Sequence, residues 1–151
     1  MCGISGLWRK SGIREEDRLN ARKSLQLLRQ RGPDFSATCE VIPEILFNHA
    51  RLSILDPYPS SNQPITSKCR RYTIVFNGQI YNYRELSRKT FSRNTRNINL
   101  FTNHETVKSD THAILDALSV YGVFKTIELL NGMYAIAIYD HQEKNLFLTR
   151  D

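Results

Sequence analysis

The sequence has little of what would place it in several large protein classes. Only three cysteines occur among 151 residues, at positions 2, 39 and 69, which is neither a disulfide framework nor a zinc-binding spacing. The 7 glycines and 5 prolines show no period, so a collagen-like chain is excluded. The longest apolar run, from Met133 to Tyr139, is far too short to cross a membrane. Arg9-Lys10 interrupts the apolar N-terminus before a secretory signal could form. We therefore expect a protein of the reducing cytoplasm.

What is present is typical of a globular chain. With 40% hydrophobic and 24% charged residues, it can bury a core, and its length fits one domain spanning residues 1–151. Lys and Arg number 21 against 15 Asp and Glu, a net charge of +6, which raises the alternative of a basic nucleic-acid-binding module. The positive residues are dispersed, however, and form no recognition motif. A solvated basic surface is the interpretation we favour, and salt-dependent retention on DNA would support the alternative.

Apolar periodicity and turn-forming residues predict a mixture of strands, hairpins and helices rather than a repeated strand–helix unit, which favours the α+β class. The expected strands cover residues 4–8, 35–41, 44–55, 72–76, 133–140 and 145–148, and the expected helices cover 15–31, 82–86 and 110–121. Residues 57–64 are a loop by composition, and residues 90–108 carry no pattern that assigns them. Directly after the strand at 72–76, Asn77-Gly78 predicts a tight hairpin turn.

The third expected helix has recognisable signals at both ends. Ser109-Asp110 precedes its apolar residues and can cap its start, and Gly122 is expected to close it. A Ser followed three residues later by Glu would form a capping box. His112 stands in that place, and since it cannot reach back as a carboxylate does, we expect a weakened helix start.

Cys2 directly follows the initiator methionine. Removal of Met1 would leave a thiol and a free α-amino group on one residue, and the amine can then act as the base for its own nucleophile. Taken alone, a cysteine at position 2 is better interpreted as a residue without a function.

Several further segments accompany Cys2 in a fixed order and spacing. They are Met1-Cys2-Gly3-Ile4-Ser5-Gly6, Arg31-Gly32-Pro33-Asp34, His49-Ala50-Arg51-Leu52-Ser53-Ile54, Gln63-Pro64, Asn77-Gly78-Gln79-Ile80-Tyr81-Asn82, Ser109-Asp110-Thr111, Leu130-Asn131-Gly132-Met133-Tyr134-Ala135 and Arg150-Asp151. Together they resemble class II glutamine amidotransferases, and within that family the glutaminase half of the asparagine synthetase B type. The resemblance covers nearly the whole chain. It implies the N-terminal-nucleophile hydrolase sandwich, two antiparallel sheets flanked by helices, incomplete at the C-terminus.

The resemblance also implies the catalytic roles. Cys2 would attack the side-chain carboxamide of glutamine and form a thioester. The side chain of Asn77 and the backbone N–H of Gly78 would form the oxyanion hole, where donors aimed at developing charge are a large catalytic contribution. The alternative for Asn77-Gly78 is the plain hairpin turn, and the two interpretations are compatible.

The substrate-binding roles come from the same resemblance. Arg51 would bind the α-carboxylate of glutamine, since a guanidinium matches a carboxylate with two hydrogen bonds. Asp110 would pair with the α-ammonium, and Ile54 and Leu55 would shape the pocket. The alternatives are a structural ion pair or solvated strand residue for Arg51, a helix cap for Asp110, and core strand residues for Ile54 and Leu55.

The chain departs from the family pattern in places. Family members usually carry Glu where this chain has Gln79, and that Glu helps to hold the α-ammonium of the substrate. They also carry Glu where this chain has His112, and residues 90–108 do not match the short family segment. We interpret the four histidines as structural because they lack metal-ligand spacing. Cys39 is expected to be a core thiol and Cys69 a surface thiol.

The function implied is that of a glutaminase that converts L-glutamine to glutamate and ammonia for the ATP-dependent amidation of an acceptor such as aspartate. No metal and no cofactor are expected in this chain, because the family's ATP and magnesium belong to a synthetase domain that these 151 residues lack. Glutamine and such a synthetase domain are the expected partners, with neither nucleic acid nor membrane. The alternative is a catalytically silent remnant or regulatory binding domain that keeps the pocket but lacks turnover.

Overall fold

A computed structural model describes residues 2–54, 56–94 and 109–151 of the chain. Its elements are β1 (Gly3–Trp8), α1 (Glu15–Leu28), β2 (Phe35–Ile42), β3 (Ile45–Arg51), β4 (Ile65–Thr66), β5 (Tyr72–Ile80), α2 (Tyr83–Asn94), α3 (Asp110–Leu129), β6 (Gly132–Asp140) and β7 (Asn145–Arg150), with a short 3₁₀ turn at Pro59–Ser61. No helix within these ranges is long and apolar enough to span a membrane.

The strands form two antiparallel sheets. Sheet A has the order β1-β3-β2, and sheet B has the order β4-β5-β6-β7. The final hairpin of β6 and β7 is the one that the sequence predicts, with Asp140 opposite Asn145. The α+β class and the pair of antiparallel sheets are confirmed.

The two sheets stack face to face because alternate residues of their strands are apolar. Ile45 and Phe47 of β3 pack against Val75 of β5 and Ala137 and Tyr139 of β6. Side chains alternate across a strand, so the residues between these point to the outer faces. The sandwich therefore has an apolar cluster between its sheets.

Helices cover both outer faces. On sheet B, Ile74 and Phe76 of β5 pack against Ile114 and Leu118 of α3. On sheet A, α1 covers Leu46 through its Ala21. The expected arrangement of two sheets with helices outside is confirmed, and its layers run from α1 through sheet A and sheet B to α3.

The predicted hairpin turn at Asn77-Gly78 is wrong. Strand β5 continues through both residues and pairs with β6 as far as Ile80 opposite Gly132. Gly78 has φ of +154°, and a Cβ on it would lie 2.2 Å from the carbonyl oxygen of Met133. Glycine is required here by the close approach of two backbones, not by a turn.

The helix boundaries also differ from those expected. Helix α1 ends at Leu28, and residues 29–31 form turns before the Gly-Pro pair. Helix α2 extends well beyond residue 86, to Asn94, so part of the unassigned segment 90–108 is helical, and its remainder lies outside the described residues. Helix α3 breaks at Gly122, which has φ of +75°, and resumes to Leu129. The expected closure at Gly122 is therefore an interruption.

Candidate active site

A cavity of about 600 Å³ opens where the ends of β3 and β5 meet the start of α3. The residues expected from the sequence that line it are Cys2, Arg51, Ile54, Asn77, Gly78, Gln79 and Asp110. Leu55, also expected to shape the pocket, lies outside the described residues. The structure therefore brings together on one cavity all of the candidate site residues that it describes.

The Cys2 thiol lies at the N-terminal end of β1. Because Gly3 pairs with Ala50, the antiparallel register carries Cys2 alongside the end of β3. The backbone N–H of Leu52 approaches its Sγ at 3.4 Å, and the thiol contacts the carbonyl oxygen of the same residue at 3.7 Å. Arg31 donates from Nε to the carbonyl oxygen of Cys2 at 3.1 Å. These contacts hold Cys2 and its half-buried thiol in place. The sequence did not predict the contribution of Leu52 or Arg31.

The backbone of β5 supplies donors to the cavity. In an antiparallel ladder, alternate residues direct their backbone groups to opposite sides, so Phe76, Gly78 and Ile80 direct theirs away from β6. Gln63 Oε1 accepts the N–H of Phe76 at 2.6 Å, and Asp110 Oδ2 accepts that of Ile80 at 3.2 Å. Gly78, which lines the cavity, lies between these two occupied positions. The sequence placed Gln63 in a motif but gave no sign of this contact.

Asn77 is half-buried on the face of β5 that points between the sheets. Within the described part of the chain, its Oδ1 is buried and has no hydrogen-bond partner. A buried amide without a partner is costly. Asn77 also lines the cavity, so a ligand there can reach its side chain.

Arg51, the last residue of β3, is 6% exposed, which rules out the alternative of a solvated strand residue. Its Nη1 donates to the carbonyl oxygen of Tyr58 at 3.0 Å and to Oδ1 of Asn62 at 2.6 Å, and its Nη2 donates to the carbonyl oxygen of Asp56. These acceptors are carbonyl and amide oxygens, which carry no formal charge. The guanidinium thus keeps its charge available for an anion in the cavity.

Asp110 is the first residue of α3 and is 5% exposed. Its Oδ1 accepts the N–H of Thr111 at 2.9 Å, and its Oδ2 accepts that of Ile80. Burial raises the pKa of this carboxyl above its usual range, although the hydrogen bonds from Ile80 and Thr111 act in the opposite direction. A cation in the cavity would relieve the cost of holding this carboxylate away from water.

The start of α3 lacks the side-chain cap that the sequence predicts at Ser109. Ser109 occupies the cap position without bonding the helix backbone through its side chain. His112 does reach back, since its Nδ1 lies 2.9 Å from Oγ of Ser109. The His112 ring therefore contacts the hydroxyl of the cap residue Ser109. In a capping box, the side chain at this position would instead accept a hydrogen bond from the backbone N–H of the cap residue.

Other candidate residues are placed as follows. Ile54 is 74% exposed, so its alternative role in the core is wrong, while Gln79 is exposed on the cavity.

His49 is fully buried between the sheets, and its ring nitrogens have no hydrogen-bond partner among the described residues. Burial lowers the pKa of His49 to about 4; the backbone of Phe76 acts in the opposite direction, and the Arg51 charge acts in the same direction as burial. Cys39 is half-buried and Cys69 exposed.

A cysteine at position 2 that faces a cavity at the end of two stacked antiparallel sheets is the arrangement of the N-terminal-nucleophile amidotransferases. A family model described as a glutamine amidotransferase domain matches residues 1–151, and the chain belongs to this family. The resemblance seen in the sequence is confirmed.

Curated relatives agree with this assignment. The chain is 30% identical over 156 residues to asparagine synthetase [glutamine-hydrolyzing] 3 of Bacillus subtilis, with 100% of this chain and 23% of that protein covered. It is 28% identical over 151 residues to asparagine synthetase [glutamine-hydrolyzing] 2 of rice, with 100% and 23% covered. A putative asparagine synthetase [glutamine-hydrolyzing] of Mycobacterium bovis is 34% identical over 140 residues, with 85% and 20% covered. The chain thus spans less than a quarter of the length of these relatives.

Among solved structures, glutamine phosphoribosylpyrophosphate amidotransferase of B. subtilis matches with a TM-score of 0.48 and 17% identity, covering 72% of this chain and 23% of that one.

Proposed function

We propose that this chain is the glutaminase part of an asparagine synthetase-like amidotransferase and that it hydrolyses L-glutamine to glutamate and ammonia. The observation that carries the proposal is the convergence of the Cys2 thiol, the Arg51 guanidinium and the Asp110 carboxylate on one cavity. These are a nucleophile, an anion-binding group and a cation-binding group. A substrate with an electrophilic carbonyl at one end and an α-amino acid group at the other matches all three.

The two charged groups would hold the amino acid end of the substrate. Arg51 would bind the α-carboxylate with the donors that its loop acceptors leave free. Asp110 would bind the α-ammonium, helped by the side-chain carbonyl of Gln79. Ile54, on the loop after β3, would close one side of the pocket. Both charged side chains are held from behind by backbone groups, so the site is organised before the substrate arrives.

The chemistry would follow from the position of Cys2. Its α-amino group, freed by removal of Met1, would take the thiol proton as Sγ bonds to the carboxamide carbon of glutamine. Negative charge would develop on the amide oxygen, to which the Gly78 N–H and the Asn77 side-chain amide would donate. The C–N bond then breaks, and ammonia leaves with the proton returned by the amine. Water attacks the thioester and releases glutamate and the free thiol.

In the full-length relatives, the ammonia would serve ATP-dependent amidation of an acceptor such as aspartate. That step, with its ATP and magnesium, would belong to a synthetase domain, so this chain needs no cofactor for its own reaction. Neither nucleic acid nor a membrane is a proposed partner.

The proposal is tested by measuring ammonia release from L-glutamine. We expect turnover by the wild-type chain and none by Cys2→Ala. Binding of glutamine to both proteins without ammonia release would instead identify a silent or regulatory binding domain. Absence of both binding and turnover would overturn the proposal altogether.

A further inference from the structure

A buried cluster of hydrogen bonds joins the loop after β3 to the first turn of α3. Its members are Asp56, Ser61, Ser109 and His112, of which the first three are no more than 4% exposed. Oγ of Ser61 contacts Oδ2 of Asp56 at very short range and lies 3.3 Å from both Oγ of Ser109 and Nδ1 of His112. Oγ of Ser109 lies 2.9 Å from Nδ1 of His112. Two segments that are about fifty residues apart in sequence are thereby connected.

The chemistry of the groups sets the direction of these bonds. An ionised carboxylate only accepts, so the Ser61 hydroxyl donates to Asp56. The Ser61 oxygen can then accept from the Ser109 hydroxyl, whose own oxygen accepts from the Nδ1–H of His112. This arrangement assigns three of the four contacts, leaves the longer approach of Ser61 Oγ to His112 Nδ1 as a secondary one, and gives a chain of hydrogen bonds from His112 to Asp56. It is not a nucleophile triad, because the carboxylate contacts the serine rather than the ring.

Asp56 connects the cluster to Arg51. Its carbonyl oxygen accepts from Nη2 of Arg51, and its Oδ1 accepts the N–H of Tyr58 at 2.9 Å. The carbonyl oxygen of Tyr58 in turn accepts from Nη1 of Arg51. Fixing the Asp56 side chain therefore fixes two of the acceptors that hold the guanidinium.

The other end of the cluster adjoins Asp110. Ser109 immediately precedes it, and His112 lies in the same helical turn. The cluster thus connects the loop whose carbonyl groups hold Arg51 with the helical turn that carries Asp110. These are the two groups whose separation must match the α-carboxylate and α-ammonium of one amino acid.

We infer that Ser61 and His112 are positioning residues that set the placement of Arg51 relative to Asp110, and so the affinity for the α-amino acid end of the substrate. This inference rests on the proposed function. Ser61 lines the cavity and His112 does not, and both hydrogen-bond within the cluster, so we expect the cluster to act on substrate binding and not on thioester chemistry.

The test compares Ser61→Ala and His112→Ala with the wild-type chain on two amides. One is L-glutamine, and the other is 4-aminobutanamide, which keeps the amine and the amide but lacks the α-carboxylate. For L-glutamine we expect KM to rise about tenfold in each variant, the equivalent of one hydrogen bond to a charged group, with kcat within about twofold. For 4-aminobutanamide, kcat/KM should stay within about twofold, because Asp110 keeps its hydrogen bonds from Ile80 and Thr111 and the misplaced Arg51 has no carboxylate to bind.

Two further variants separate positioning from general damage to the fold. His112→Asn can keep a polar group near the place of Nδ1 and should restore most of the glutamine KM. Ser24→Ala is the matched control, since its hydroxyl is hydrogen-bonded to Asn48 and the carbonyl oxygen of Ala21 on the far side of sheet A. It should leave both amides unaffected. The double variant Ser61→Ala/His112→Ala should be no weaker than the worse single variant, since both remove one chain.

An equal loss on both amides, or an unchanged glutamine KM in Ser61→Ala, would overturn the inference. Calorimetric binding of L-glutamine in the Cys2→Ala background distinguishes it from the proposed function. Tight binding that weakens about tenfold with Ser61→Ala, without ammonia release by the wild-type chain, would refute glutaminase activity and retain the positioning role. Absence of any glutamine binding would refute both.

Discussion

The backbone N–H of Ile80 donates a hydrogen bond of 3.2 Å to Oδ2 of Asp110. This bond attaches the first residue of α3 to the end of β5, one residue beyond Gln79. It therefore brings the position where the family usually has an acid beside the buried carboxylate at the start of α3. In the proposed function, Asn77 and Gly78 of strand β5 would serve the amide end of the substrate, and Gln79 would serve the α-ammonium end.

We predict that the active chain begins at Cys2. A retained Met1 would place a peptide bond where the mechanism needs a free amine as base, so it should abolish ammonia release. Intact mass spectrometry of an active preparation measures this directly. Full activity with Met1 still attached would exclude the N-terminal-nucleophile mechanism.

Asn77→Ala should lower kcat by about 10²- to 10³-fold, the usual cost of one oxyanion donor, and leave glutamine binding nearly intact. Steady-state kinetics, with binding measured in the Cys2→Ala background, separate the two effects. Asn62→Ala is an informative comparison, because Asn62 bonds Arg51 and its loss should raise KM instead. Unchanged turnover in Asn77→Ala would leave Asn77 as a strand residue only.

His49 should make the protein less stable as the pH falls below neutral. Burial lowers its pKa from 6.5 to about 4, so between these values the unfolded chain binds a proton that the folded chain does not. The free energy of unfolding should therefore fall with decreasing pH, by up to about 1.4 kcal/mol per unit for this group.

Urea unfolding of the wild-type chain and of His49→Leu at pH 7.5, 5.5 and 4.5 checks this expectation. The other titrating groups, including Asp110 and Asp116 with pKa values raised by burial, are present in both proteins, so the comparison isolates His49. The variant should lose less stability on acidification. Equal pH dependence in the two proteins would show that His49 is not held neutral.

Much of this fold follows from local patterns. The β6–β7 hairpin and the apolar face of α3 are encoded within short windows, and both are where the sequence predicts them. The error at Asn77-Gly78 arose because the dipeptide signals a turn locally, whereas its actual partner is Tyr134, more than fifty residues away in the chain. A pairing between residues so far apart in the chain cannot be predicted from a window of a few residues.

The candidate site divides in a similar way. Motif residues such as Cys2, Arg51 and Asp110 could be named from the sequence because the segments around them resemble those of a known family. The groups that hold them could not, since they are mostly backbone atoms. The Leu52 N–H at the thiol and the Tyr58 carbonyl at Arg51 depend on loop conformation rather than on residue type. The reach of His112 to Ser109 likewise required a structure.

The last prediction concerns Gln79, where the family pattern has an acid. The α-ammonium of glutamine must leave water to enter the cavity, and a buried charge needs compensation. Asp110 provides one carboxylate, but Gln79 offers only a neutral amide oxygen. Hydrogen bonds to charged groups contribute roughly 1.5 to 3 kcal/mol against about 1 for neutral ones. A deficit of about 1 to 2 kcal/mol corresponds to roughly 5- to 30-fold in affinity. Gln79→Glu should therefore lower the glutamine KM by about that factor, provided that KM follows binding. We expect kcat to change little, because the ammonium lies at the opposite end of the substrate from the amide.

Gln142→Glu, at an exposed position after β6, adds the same charge away from the cavity and controls for a general electrostatic effect. An unchanged or higher KM in Gln79→Glu would mean that this side chain does not face the ammonium.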